Sequence, residues 1–133
     1  MTEFTMTRTI AEGFAETLEA TRAALGEVGF GIISEIDLSG NLHEKVGADL
    51  SPCTILGACQ PDLAHQAVTA DPSVAALLPC NVVVRADSPS VTVVEAFDPM
   101  TITQMRGSAE ALRAVAHDAR ERVARALEIL ADR

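Results

Sequence analysis

The chain has no tryptophan and no tyrosine, and four phenylalanines make up its aromatic complement, 3% of 133 residues. Base-stacking platforms need aromatic faces, so this scarcity argues against a single-stranded nucleic-acid reader. It also obliges the core to be built from Leu, Val, Ile and Ala. Positive charge is equally short. Lys45 is the only lysine, and ten Lys and Arg against 19 Asp and Glu leave a formal net charge of -9. Such a surface repels phosphate backbones. The one basic series, Arg113, Arg120, Arg122 and Arg125, is interleaved with Glu110, Asp118, Glu121 and Glu128, the pattern of a salt-bridged solvent face. No nucleic-acid partner is expected.

No apolar run approaches the length that spans a bilayer. The opening "MTEFTMTRTIAEGF" lacks a basic segment followed by an apolar one, so it does not read as a signal peptide. No membrane partner is expected. Three cysteines, an odd count, without an export signal predict free thiols and a cytoplasmic address. Cys53, Cys59, His65 and Cys80 contain no C-x-x-C and no close histidine pair, so zinc spacing is missing. The expectation is no metal and no cofactor.

What is present is apolar residues, 48% of the chain, recurring with both strand and helix periods. The length suits one domain over residues 1–133. Phe4 and Met6 alternate with Thr5 and Thr7, a short first strand. Thr9 with Glu12 reads as a capping box opening a helix with Phe14, Leu18, Leu25 and Val28 on one stripe. Thr21 fills the missing turn, and Gly29 ends the helix as a left-handed cap. "FGIISEID", Phe30 to Asp37, reads as a strand with Phe30, Ile32 and Ile36 on one face and Glu35 and Asp37 on the other. Ser39 precedes a helical turn or two ended by Gly47. "CTILGAC" is a strand bounded by Pro52 and Pro61.

Pro61 opens a helix of about ten residues, Asp71-Pro72 breaks it, and a shorter helix with Val74, Ala75, Leu77 and Leu78 runs to Pro79. "CNVVVRA" and "VTVVEAF" form a hairpin across "DSPS". Ser108 is the expected cap of a long last helix with its stripe at Leu112, Val115, Ala119, Val123, Leu127 and Leu130. The pattern predicts an α+β two-layer sandwich, a mostly antiparallel sheet with the long helices packed on one face.

The break at Asp71-Pro72 sends the chain out and back. "TILGAC" and "CNVVV" then become antiparallel neighbours, and Cys59 and Cys80 meet at one edge. Two readings follow. In one, a thiol at a helix N-terminus has its pKa lowered by the macrodipole and acts as a nucleophile, with Asn81 donating to a bound carbonyl. In the other, both cysteines are small buried side chains closing strand ends, and no general base stands at a recognisable spacing. Cys53 beside Pro52 reads as a filler. His65 and His117 read as exposed. His43 lies beside Glu44 and Lys45, a cluster for a pocket edge or for solvent. Glu95 and Asp98 flank Phe97 without an identified partner and read as solvated.

The combination "ILGACQP", "LPCNVVV" and "FDPM" resembles the domain of unknown function 302 family, in which "GFG", an "EID"-like step, "EK-x-G", "ILGAC-N-P" and "LPCNVVV" follow in this order. The resemblance runs from about the first helix to Pro99. It implies a compact α+β fold, a homodimer, and Cys59, Pro61, Pro79, Cys80 and Asn81 as signature positions, with Lys45 and Gly47 matching "EK-x-G". Gln60 stands where Asn is usual and Cys53 where an aromatic is common, which reshapes the pocket edge. The family brings no established activity. The functional expectation is a small-ligand-binding domain whose site comprises Cys59, Gln60, Cys80, Asn81 and Lys45. The alternatives are a thiol-dependent enzyme or redox factor using Cys59 and Cys80, and a homodimeric assembly module.

Overall fold

The computed structural model describes residues 4–106 and 110–133, apart from the side chains of Met105 and Arg106. Its sheet has five strands: β1 (Thr5–Ile10), β2 (Gly31–Asp37), β3 (Cys53–Cys59), β4 (Cys80–Ser88) and β5 (Val91–Phe97), in the spatial order β1-β5-β4-β3-β2. Every pairing is antiparallel. The helices are α1 (Phe14–Glu27), α2 (Leu38–Val46), α3 (Pro61–Ala70), α4 (Thr101–Arg106) and α5 (Glu110–Ala131), with a 3-10 helix at Pro72–Leu77. The fold is α+β, as the pattern predicts, and α1 and α5 pack on one side of the sheet.

The main core lies between that side and the two long helices. Leu25 of α1, Leu56 of β3, Val82 and Val84 of β4, Val94 of β5, and Val123 and Leu127 of α5 are all buried in it. Thr21 is also buried, and its hydroxyl donates to the Thr17 carbonyl at 2.7 Å, so it fills its turn without an unpaired hydroxyl. A second cluster gathers Leu63, Ala67, Val74, Ile102, Leu112 and Val115 under α3. Pro61 starts α3 as expected, because a proline without an N–H fits the first turn. There the Gln60 side chain accepts from the Leu63 N–H at 2.7 Å. Asp71 ends α3, and its carboxylate accepts from the Ser73 N–H at 3.0 Å, opening the 3-10 helix.

Three local expectations are corrected. Thr9 is not a helix cap: it pairs with Val93 in β1, and α1 starts after Gly13, which has no side-chain cap. The six-residue ladder with β5 outweighs a local capping box. In β2 a bulge between Ile32 and Ser34 shifts the alternation. Ile32 therefore lies opposite Ala58, towards the helices, while Ile36 lies opposite Ile55 on the other face. α2 starts at Leu38, before Ser39 and not after it, and Asp37 caps it, accepting from Gly40 N–H at 3.0 Å. Glycine supplies the left-handed turns after α1 and α2, with φ of +90° at Gly29 and +69° at Gly47. The expected Ser108 cap lies outside the described residues.

Among the described residues no helix packs on the opposite face of the sheet. Register places Ile36, Ile55 and Val83 side by side there, with Val93 one row away. The charged side chains at its centre are Arg85 and Glu95, and they pair with each other at 2.7 Å. Asp87 lies at the rim, in the β4–β5 bulge. The Thr5 and Arg85 hydrogen bonds hold the Glu95 carboxyl below its ordinary pKa, so this residue is partnered and not merely solvated.

Candidate functional site

β3 and β4 end at one corner of the sheet, where the turn-break-turn of α3 and the 3-10 helix returns the chain. Ala58 lies directly opposite Cys80 in the ladder, so Cys59 is one residue past that pair. The two cysteines thus meet at one edge, as the out-and-back reading expects. Successive strand residues face opposite ways. Cys80 follows Ala58 towards the helices and packs against the main core, whereas Cys59 faces the uncovered side. All three cysteines are free.

Behind Cys80 a cavity of about 70 Å³ opens in the second apolar cluster. Its walls are Leu63 and Ala67 of α3, Leu77 of the 3-10 helix, Ile102 of α4, and Val115 and Ala116 of α5. Phe30 and Phe97, half of the chain's phenylalanines, close the sheet side, with Cys59 and Gln60 at the edge. Alanines at 64, 67, 116 and 119 leave the space that larger side chains would fill. Among the described residues no charged side chain lines it.

The Cys80 thiol lies 3.7 Å from the Phe97 carbonyl, to which it donates. Removal from water pushes its pKa up to about 12, and the negative charge of Asp98 adds to the rise. Cys80 is therefore a protonated thiol at neutral pH, the reverse of an activated nucleophile. Asp98 itself is well partnered. It accepts from Met100 N–H at 3.0 Å and from Arg120 Nε at 3.1 Å. The sequence offered no cue to that ion pair, because Arg120 reads as one more solvent-face arginine until the last helix is laid over the end of β5. Arg122 does make the expected helix pair, with Asp118 at 3.1 Å.

Of the expected site residues, Cys59, Gln60 and Cys80 surround the cavity. Asn81 is exposed and lies opposite Gly57 in the ladder, which puts it on the uncovered face. Lys45 is exposed near the end of α2, the helix whose Ser39 hydroxyl accepts from the Cys53 N–H at the start of β3. The seven-residue strand separates that end from the cysteines by about 20 Å at the usual rise per residue. Cys53 is also at that far end, half-buried, with burial raising its thiol pKa against the pull of Arg85. His43 and His65 are exposed. Among the described residues no three His, Cys, Asp or Glu side chains gather as a metal site. No helix among them is long and apolar enough to cross a membrane.

The chain as a whole is similar to known proteins. A family model described as "Domain of unknown function DUF302" matches residues 6–130. A crystal structure of an uncharacterized conserved DUF302 protein from Bacillus stearothermophilus is similar, with a TM-score of 0.87 and 28% identity. The similarity covers 97% of this chain and 99% of that one. No curated protein matches the chain.

Proposed function

The chain belongs to the DUF302 family, and we propose that it is a small-molecule-binding domain whose site is the cavity beneath α3. One observation carries this reading: an apolar cavity opens behind the two cysteine motifs, with Cys80 in its wall and Gln60 at its edge. Cavities of this kind, set between helices and strand ends, are where small ligands bind in other folds. A protonated Cys80 suits a wall better than a nucleophile.

The test is an NMR screen of the full chain against neutral, anionic and cationic fragments. At least one class is expected to shift signals of Leu63, Cys80 and Val115 saturably, and Ala116→Leu, which fills the space, is expected to abolish the shifts. A screen in which no fragment moves these residues overturns the reading.

A second reading, compatible with the first, is favoured by the charge distribution. On a chain of net charge -9 the uncovered sheet face has a neutral centre, with Arg85 and Glu95 paired beside Ile36, Ile55, Val83 and Val93. Two acidic copies repel least through this face, so its proposed occupant is a second copy of the chain, related by a two-fold axis. Sedimentation at micromolar concentration is expected to give a dimer mass for the wild type and a monomer mass for Val83→Arg, with unchanged circular dichroism. A monomeric wild type, or a Val83→Arg dimer, overturns this.

A further inference from the structure

We infer that the group buried in the cavity is an uncharged alkyl chain of about three or four carbons, with any polar part of the ligand left outside; this rests on the binding reading above. Three observations point to it. The first is size. An apolar cavity of about 150 Å³ admits benzene, and the 70 Å³ here is less than half of that.

The second is the absence of charge. Among the described residues no charged side chain lines the space, so a carboxylate, phosphate or ammonium buried against them would lose its hydration without a counter-charge. The Asp98–Arg120 pair is already satisfied internally and offers none.

The third is the state of the polar side chains that border it. The Cys80 thiol is engaged with the Phe97 carbonyl, and the Gln60 side-chain oxygen with the Leu63 N–H. The Gln60 amide nitrogen lies near Gly29. A polar ligand atom inside the cavity would therefore meet a thiol and an amide oxygen that are already engaged, whereas carbon against Leu63, Leu77, Ile102 and Val115 needs no partner.

The experiment titrates the full chain with ethanol, 1-propanol, 1-butanol and 1-hexanol, with benzene, and with inorganic phosphate, following the methyl signals of Leu63, Leu77 and Val115. Affinity is expected to rise about fourfold per added carbon up to butanol and to level off at hexanol, when the space is full. Ala116→Leu is expected to remove the binding, and Ala67→Val serves if that variant does not fold. Benzene or phosphate moving these methyls while the alcohols do not would overturn the alkyl assignment and leave the binding reading intact. Affinity that keeps climbing through hexanol, or alcohol binding that survives both alanine substitutions, overturns the assignment too. If no probe moves the methyls, both fall.

Discussion

Gly57→Ala is expected to destabilise the fold by about 1–3 kcal/mol, the usual cost of overpacking, and to lower Tm by roughly 5–10 °C. The reason is steric and not conformational, since only Gly29 and Gly47 have positive φ among the described residues. A Cβ at Gly57 would lie 2.8 Å from Pro79 Cγ and would also press on the Ser34 hydroxyl. Ser34 sits beside the bulge and its hydroxyl can rotate away. The Pro79 ring is part of the backbone, and moving it shifts the next residue, Cys80, at the cavity wall.

The glycine of "ILGAC" is thus the notch into which the proline of "LPCN" fits. Gly26→Ala supplies the control, because nothing lies within 4 Å of a Cβ there. Near the end of α1 it is expected to stabilise by about 0.5–1 kcal/mol through helix propensity. Chemical denaturation of both variants measures the contrast, and a Gly57→Ala protein as stable as the wild type would mean that the corner yields without cost.

Cys80 in the native protein is expected to alkylate about 1,000-fold more slowly at pH 8 than in the denatured chain. A pKa near 12 in place of 9.0 leaves about a thousandth of the thiolate. Iodoacetamide labelling with and without urea, read by mass spectrometry of the Cys80 peptide, gives the ratio. Equal rates would restore a nucleophilic role.

The same shift couples stability to alkaline pH. The folded state holds the thiol proton more tightly than the unfolded chain. This contribution is therefore fully present below pH 9.0 and is lost as pH rises towards about 12. Wild type should lose about 1 kcal/mol per pH unit relative to Cys80→Ser in that window, as followed by denaturant titration at stepped pH. Cys80→Ser keeps a donor for the Phe97 carbonyl but does not titrate there.

Prolines made the α3 segment legible. Pro61, the Asp71-Pro72 break and Pro79 each act on the neighbouring backbone alone, and the two short helices fall between them. The antiparallel pairing of β3 with β4 followed from that reversal. Local signals failed where a distant partner outweighed them. Thr9 and Glu12 have capping-box spacing, yet Thr9 is held by Val93 from the far end of the chain. The periodicity of β2 read correctly up to Ile32, and then one inserted residue at the bulge moved Ile36 to the other face. α4 went unread because its six residues carry too short a pattern to stand out.

The candidate site divides the same way. Its motifs were visible in one dimension as "GACQP" and "LPCN", and six of their residues, Ala58, Cys59, Gln60, Leu78, Pro79 and Cys80, border the cavity. Asn81, next to Cys80 in β4, alternates to the uncovered face, which strand parity predicts.

The sequence by itself determined the secondary-structure order apart from α4, the antiparallel reversal at Asp71-Pro72 and the corner where the cysteines meet, because these depend on proline geometry and short-range periodicity. Only the tertiary structure decided that Cys80 packs half-buried against the core, that Arg120 neutralises Asp98, and that alanines from α3 and α5 leave a cavity between them. Those outcomes depend on helices and strands far apart in the chain closing around one point, where burial and charge are set by neighbours that no local pattern encodes.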